Sequence, residues 1–137
     1  MSRAASNAGG AEVLIVDGAI GAESPAPVRA TVGATDGAVL VFEGVVRGTE
    51  DGRTIDGLLY TAYEPMAQRQ LESIASGLLD SLEITSVRVV HSRGLVPVGG
   101  VSLRCVVTAP HRRAALEAMD RLIDGLKRDV PIWKSAR

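Results

Sequence analysis

Ala38-Val39-Leu40-Val41-Phe42-Glu43-Gly44-Val45-Val46-Arg47, then Gly48-Thr49-Glu50-Asp51-Gly52-Arg53, then residues 55–63 and Glu64-Pro65, read as strand, polar turn, strand and helix start. The first segment is rich in β-branched residues and almost continuously apolar, which predicts a strand covered on both faces. The glycine-bounded turn predicts that it pairs with 55–63 as a hairpin. Pro65 suits the first helical position, where its missing N–H would have no partner anyway. Ala67, Leu71, Ile74, Ala75, Leu78, Leu79 and Leu82 then recur at helical spacing and mark one core face.

Working outward, residues 84–91 and 101–108 read as two further strands, separated by a turn-rich segment with Gly94, Pro97, Gly99 and Gly100. Pro110 starts a final helix with the stripe Ala115, Met119, Leu122, Ile123 and Leu126, while its charged residues fall largely elsewhere. Upstream, residues 11–16 form a short apolar strand before Asp17-Gly18, and residues 1–10 read as a disordered tail. Ser24-Pro25-Ala26-Pro27 blocks a helix, leaving room for one or two helical turns at 28–32. This order predicts an α+β domain over 11–137, with helices on one face of a largely antiparallel sheet.

Composition narrows the function. The chain has 137 residues, 46% of them apolar, and a net charge of −1, so charge alone points to no polyanion partner. Aromatics make up 3%, too few for the stacking platforms of single-strand nucleic-acid binders. The first ten residues lack the apolar stretch of a secretory signal and no run reaches membrane-spanning length, which predicts a cytoplasmic protein. The single cysteine, Cys105, excludes an internal disulfide or a CxxC metal or redox pair; in the strand 101–107 it reads as a small buried hydrophobe. No metal or cofactor is expected.

Three basic clusters are candidates for chemistry: Arg47 at a strand end, His111-Arg112-Arg113 at a helix start, and Lys127-Arg128 with Lys134 beyond the helix end. Each has an ordinary alternative. Arg47 reads equally well as a solvated arginine, and Lys127 and Arg128 suit a helix C-terminus through the macrodipole. Cations at a helix start oppose that dipole, so His111 and Arg112 suggest a compensating anion or phosphate. Val130-Pro131 ends the last helix and turns the chain, which presents Lys127 and Lys134 around one corner beside Trp133, expected to exclude water. An amine among other positive charges is suited to act as base or nucleophile.

Several separate motifs carry a resemblance. They are Val41 through Arg47, Leu59-Tyr60-Thr61-Ala62-Tyr63-Glu64-Pro65-Met66-Ala67, His91 with Gly94 and Gly99, Ala109-Pro110-His111-Arg112, and Leu126-Lys127 through Pro131-Ile132-Trp133-Lys134. In order and spacing the chain resembles the large, catalytic subunit of molybdopterin synthase over nearly all of residues 11–134. The resemblance implies an α/β-hammerhead-like fold and a sulfur transferase. Its sulfur donor would be a small ubiquitin-like subunit ending in a Gly-Gly thiocarboxylate, and it would convert cyclic pyranopterin monophosphate to molybdopterin. It also implies a homodimer at the centre of a heterotetramer. By resemblance, Lys127 and Lys134 are catalytic, and Arg47, His111 and Arg112 bind the substrate phosphate.

His111 and Lys127 are sixteen positions apart on one expected helix, about 24 Å along its axis. A shared pocket would therefore take Lys127 and Lys134 from one protomer and His111 and Arg112 from another. The chain departs from the family pattern at Gly48-Thr49, where a polar Asn or Asp is usual, at His91-Ser92-Arg93, at Gly100, and at Ser135-Ala136 before the terminal Arg137. The last difference predicts that any tail covering the pocket is missing or shortened. Two other readings are a non-catalytic α+β dimerisation or ligand-sensing module, which the fold class would equally support, and a family member that binds the carrier without turnover.

Overall fold

The structure, a computed structural model, describes residues 10–22 and 32–137. Its elements are β1 (Gly10–Asp17), β2 (Ala38–Val45), β3 (Thr49–Glu50), β4 (Arg53–Thr54), β5 (Gly57–Ala62), α1 (Met66–Ser81), β6 (Ser86–Pro97), β7 (Val101–Ala109), α2 (Arg112–Asp129) and β8 (Ile132–Ala136). The sheet is built around β6, whose alternation puts Val87, Val89 and His91 on one face. Its first eight residues pair in parallel with β1, Gly10 facing Ser86 through Asp17 facing Arg93. Its last four pair antiparallel with β5 on that same side, and β7 runs antiparallel along the other. The order is β2-β7-β6-β5-β8 with β1 joined to β6, largely antiparallel as expected for the α+β class.

Both helices pack on one face. α1 buries Ala67, Leu71, Ala75 and Leu78, and α2 buries Ala115, Ala118, Met119, Leu122 and Leu126. They close over Val13, Val87, Val89, Leu103, Cys105 and Val107 as one aliphatic core. Each fully buried leucine there, such as Leu71 or Leu122, contributes about 1.5–3 kcal/mol by leaving water. Cys105 is one of these core residues, and burial pushes its thiol up to about 12.

The expected hairpin between residues 38–47 and 55–63 does not form. Asp51 and Gly52 both take positive φ, 52° and 78°, the conformation that closes a two-residue hairpin turn. The turn is therefore spent on the two-residue ribbon β3–β4, and the long strands go to different partners, β2 to β7 and β5 to β6 and β8. Nor is β2 covered on both faces. It is an edge strand, with Val41 47% and Val45 52% exposed.

The turn-rich segment after residue 91 is mostly strand: Gly94, at φ +90°, lets β6 continue to Pro97. Pro65 stands at the N-cap of α1 rather than at its first helical position. Of the expected tail, Gly10 opens β1 and the rest lies outside the described residues; the helical turns proposed at 28–32 lie outside them except residue 32, which is not helical. Among the described residues no helix is long and apolar enough to cross a membrane.

Candidate active site

The end of α2 and the start of β8 form the corner that the sequence predicts. Val130 caps the helix in an extended conformation, and the Tyr63 N–H donates to the Pro131 carbonyl at 3.0 Å, which fixes the turn onto β5. β8 then pairs with β5 so that Lys134 lies opposite Tyr60. Arg47 is placed by its neighbour Val46, a buried residue held by hydrogen bonds from its N–H to Gly100 O and from the Gly99 N–H to its own carbonyl.

These elements surround a cavity of about 420 Å³. Arg47, Lys127 and Lys134 line it together, with Glu50 as its one carboxylate among the described residues and apolar walls from Phe42, Val45, Leu126 and Ile132. Lys134 Nζ is 3.1 Å from Glu50 Oε2. Lys127 has no acidic partner among the described residues.

Three further polar residues face this cavity. Tyr60 donates its hydroxyl hydrogen to Ser102 Oγ at 3.1 Å, and Ser102 in turn donates to the Gly44 carbonyl at 3.4 Å. His91 is 4% exposed, its ring meets the Tyr60 ring edge-on, and its Nδ1 lies 2.8 Å from the Ser92 carbonyl oxygen. Only a protonated Nδ1 can donate there, so in the neutral ring Nε2 is an acceptor. Burial lowers the His91 pKa below its ordinary 6.5, with the Ser92 hydrogen bond opposing. The cavity thus combines fixed cations with a neutral acceptor in a partly desolvated setting, an arrangement suited to anionic groups and to proton transfer.

His111 and Arg112 lie elsewhere. His111 is the N-cap of α2 in extended conformation, without a side-chain capping bond, and it lines a separate surface depression with Arg112, Arg113 and Leu116. Within one chain, the structure brings Arg47, Lys127 and Lys134 together and leaves His111 and Arg112 at the far end of the same helix. Trp133 does not exclude water from the corner: it is 59% exposed, because alternation along β8 turns it to the face opposite Lys134. Ser102 and Glu50 had no role in the sequence reading, and Tyr60 and His91 entered only as motif residues. The available signal was period-two alternation, which puts His91 in phase with the core residues Val87 and Val89.

Comparison with known proteins identifies the family of the chain. The family model described as MoaE protein matches residues 22–129. The molybdopterin synthase catalytic subunit of Dictyostelium discoideum is 39% identical over 102 residues, covering 73% of this chain and 65% of that protein. The molybdopterin synthase catalytic subunit of Homo sapiens is 40% identical over 98 residues, 72% of this chain and 52% of that protein. The chain thus spans about half to two thirds of the length of these curated relatives. Among solved structures, molybdopterin synthase from Staphylococcus aureus superposes with a TM-score of 0.80 at 31% identity, covering 90% of this chain and 88% of that one. A complex of subunits 1 and 2 of the molybdopterin-converting factor from Helicobacter pylori gives a TM-score of 0.71 at 28% identity, over 90% and 83% of the two chains. The chain belongs to the MoaE protein family, whose curated relatives are molybdopterin synthase catalytic subunits.

Proposed function

We propose that this chain is the catalytic subunit of a molybdopterin synthase, a sulfur transferase of molybdenum cofactor biosynthesis acting in the cytoplasm. It takes sulfur from a thiocarboxylated small subunit and delivers it to cyclic pyranopterin monophosphate. The observation that carries this reading is the gathering of Arg47, Lys127 and Lys134 around one cavity. A thiocarboxylate and a phosphate are both anions, and guanidinium and ammonium groups bind them through charge-assisted hydrogen bonds. That the Helicobacter pylori structure is a complex of two subunits of a molybdopterin-converting factor supports a small-subunit partner here.

In this mechanism the thiocarboxylate sulfur bonds to a carbon of the substrate as that carbon's bond to a hydroxyl oxygen breaks, the oxygen leaving as water with a proton from Lys127, so that carrier and substrate are joined as a thioester. Water then adds to the thioester carbonyl and the carbonyl C–S bond breaks. The sulfur stays on the substrate, the carrier leaves as a carboxylate, and one proton is released. Lys134 neutralises the anionic reactants, and Lys127, in the last turn of α2, assists attack and carrier release as proton donor and acceptor. An ammonium beside the carbonyl also stabilises the oxyanion of the tetrahedral intermediate.

The phosphate anchor comes from a second copy. Phe42, Gly44 and Val45 of the edge strand β2 form one wall of the cavity, so a partner seated along that edge can bring its His111 and Arg112 to the open side. The active unit is then a homodimer carrying a small subunit at each end. Incubation with a thiocarboxylated carrier and the cyclic pterin, comparing the wild type with Lys127→Ala, tests the reading. Product formation by the wild type alone is expected; equal formation by both would remove the role of Lys127.

A further inference from the structure

Two lysines face the cavity, but among the described residues only Lys134 has a carboxylate partner. That carboxylate belongs to Glu50 on β3, a residue without a role in the reading above. Both partners are placed by backbone pairing. Glu50 sits opposite Arg53 in the ribbon closed by Asp51-Gly52, and Lys134 sits opposite Tyr60 in the β5–β8 ladder. The Glu50 side chain is 22% exposed and that of Lys134 50%. An ion pair this open to water contributes little to overall stability, so its consequence is local: it holds one long, flexible side chain at one place on the cavity wall.

We propose that Glu50 is a positioning residue that separates the work of the two lysines. By engaging one N–H of the Lys134 ammonium, it tethers that group as the fixed cation meeting the anionic end of the incoming carrier. A proton given up by Lys134 would break this pair, whereas Lys127 has no acidic partner to lose among the described residues. Lys127 is therefore the amine free to take and return the proton. The inference rests on the sulfur-transfer reading for its kinetic consequence but not for its structural one.

Glu50→Gln, which keeps the shape and removes the charge, tests both. In turnover with a thiocarboxylated carrier, Glu50→Gln raises KM for the carrier several-fold and leaves kcat near wild type, while Glu50→Asp stays closer to wild type. In a Lys134→Ala background the same change has no further effect on KM. An unchanged or lower KM, a loss confined to kcat, or an equal KM rise without Lys134 would overturn the proposal. Trace acetylation with acetic anhydride, read at each lysine by mass spectrometry, needs no turnover. Lys134 is expected to react several-fold more slowly than Lys127 in the wild type, and the gap to close in Glu50→Gln. Equal reactivity in the wild type, or a gap unaffected by the substitution, would overturn the proposal even if the protein transfers no sulfur. Absent turnover with a labelling gap that does close would instead count against the sulfur-transfer reading alone.

Discussion

Tyr60 and His91 meet edge to face, ring centroids 5.5 Å apart and planes at 75°, between β5 and β6. The contact fixes a buried imidazole whose charged form is disfavoured by desolvation. Because the folded-state pKa lies below the ordinary 6.5, the unfolded chain binds more protons as the pH falls. The stability contributed by neutral His91 is complete above about pH 6.5 and is lost as pH drops from there through the folded-state value. Urea midpoints measured across pH 4–8 should show this loss in the wild type and a flatter profile in His91→Phe. Identical profiles would contradict the assignment.

Cys105 should be chemically silent. With its thiol fully buried and pushed up to about 12, almost no thiolate exists at neutral pH, and the thiolate is the reactive form. Iodoacetamide at pH 8 is expected to leave the folded protein unmodified and to label it fully in denaturant. Rapid labelling of the native protein would show that the core opens.

Gly57 lies so close to β6 that an added Cβ would sit 2.7 Å from the Val96 carbonyl oxygen. Gly57→Ala should therefore push β5 away from β6 and cost about 1–3 kcal/mol. A thermal melt reads this directly, and because Tyr60 is carried on β5, cavity-dependent activity should fall with it. An unchanged melting temperature would show that the strand can shift without strain.

The composite site is tested by mixing. Lys127→Ala and His111→Ala should each be inactive as homodimers. In reassorted mixtures half the dimers carry one intact site, so roughly a quarter of wild-type activity should return in a symmetric dimer. No recovery despite verified subunit exchange would place all the residues in one chain's site.

The helices were legible because the stripes Ala67 to Leu82 and Ala115 to Leu126 keep a 3.6-residue period against a single core. Pairing was less legible. Apolar runs at 38–45 and 57–62 do not state their partners, and the Asp51-Gly52 turn, read as joining them, instead closes a ribbon too short to show periodicity. β8 could be read only as extended, since its pairing depends on β5, 70 or more residues earlier. The cavity's cations were visible as clusters because Arg47, Lys127 and Lys134 end or follow elements. Glu50 and Tyr60 were not, because their roles arise from register across strands.

The central claim is that the cavity of Arg47, Lys127 and Lys134 moves sulfur from a carrier to a pterin. Its most direct test is the intact mass of a thiocarboxylated Gly-Gly carrier after incubation with this protein, with and without cyclic pyranopterin monophosphate. The account predicts that the carrier's thiocarboxylate becomes a carboxylate only when the pterin is present, with sulfur appearing on the pterin, and that Lys127→Ala abolishes both. A carrier that keeps its sulfur with the wild type, or loses it equally with Lys127→Ala, would contradict it.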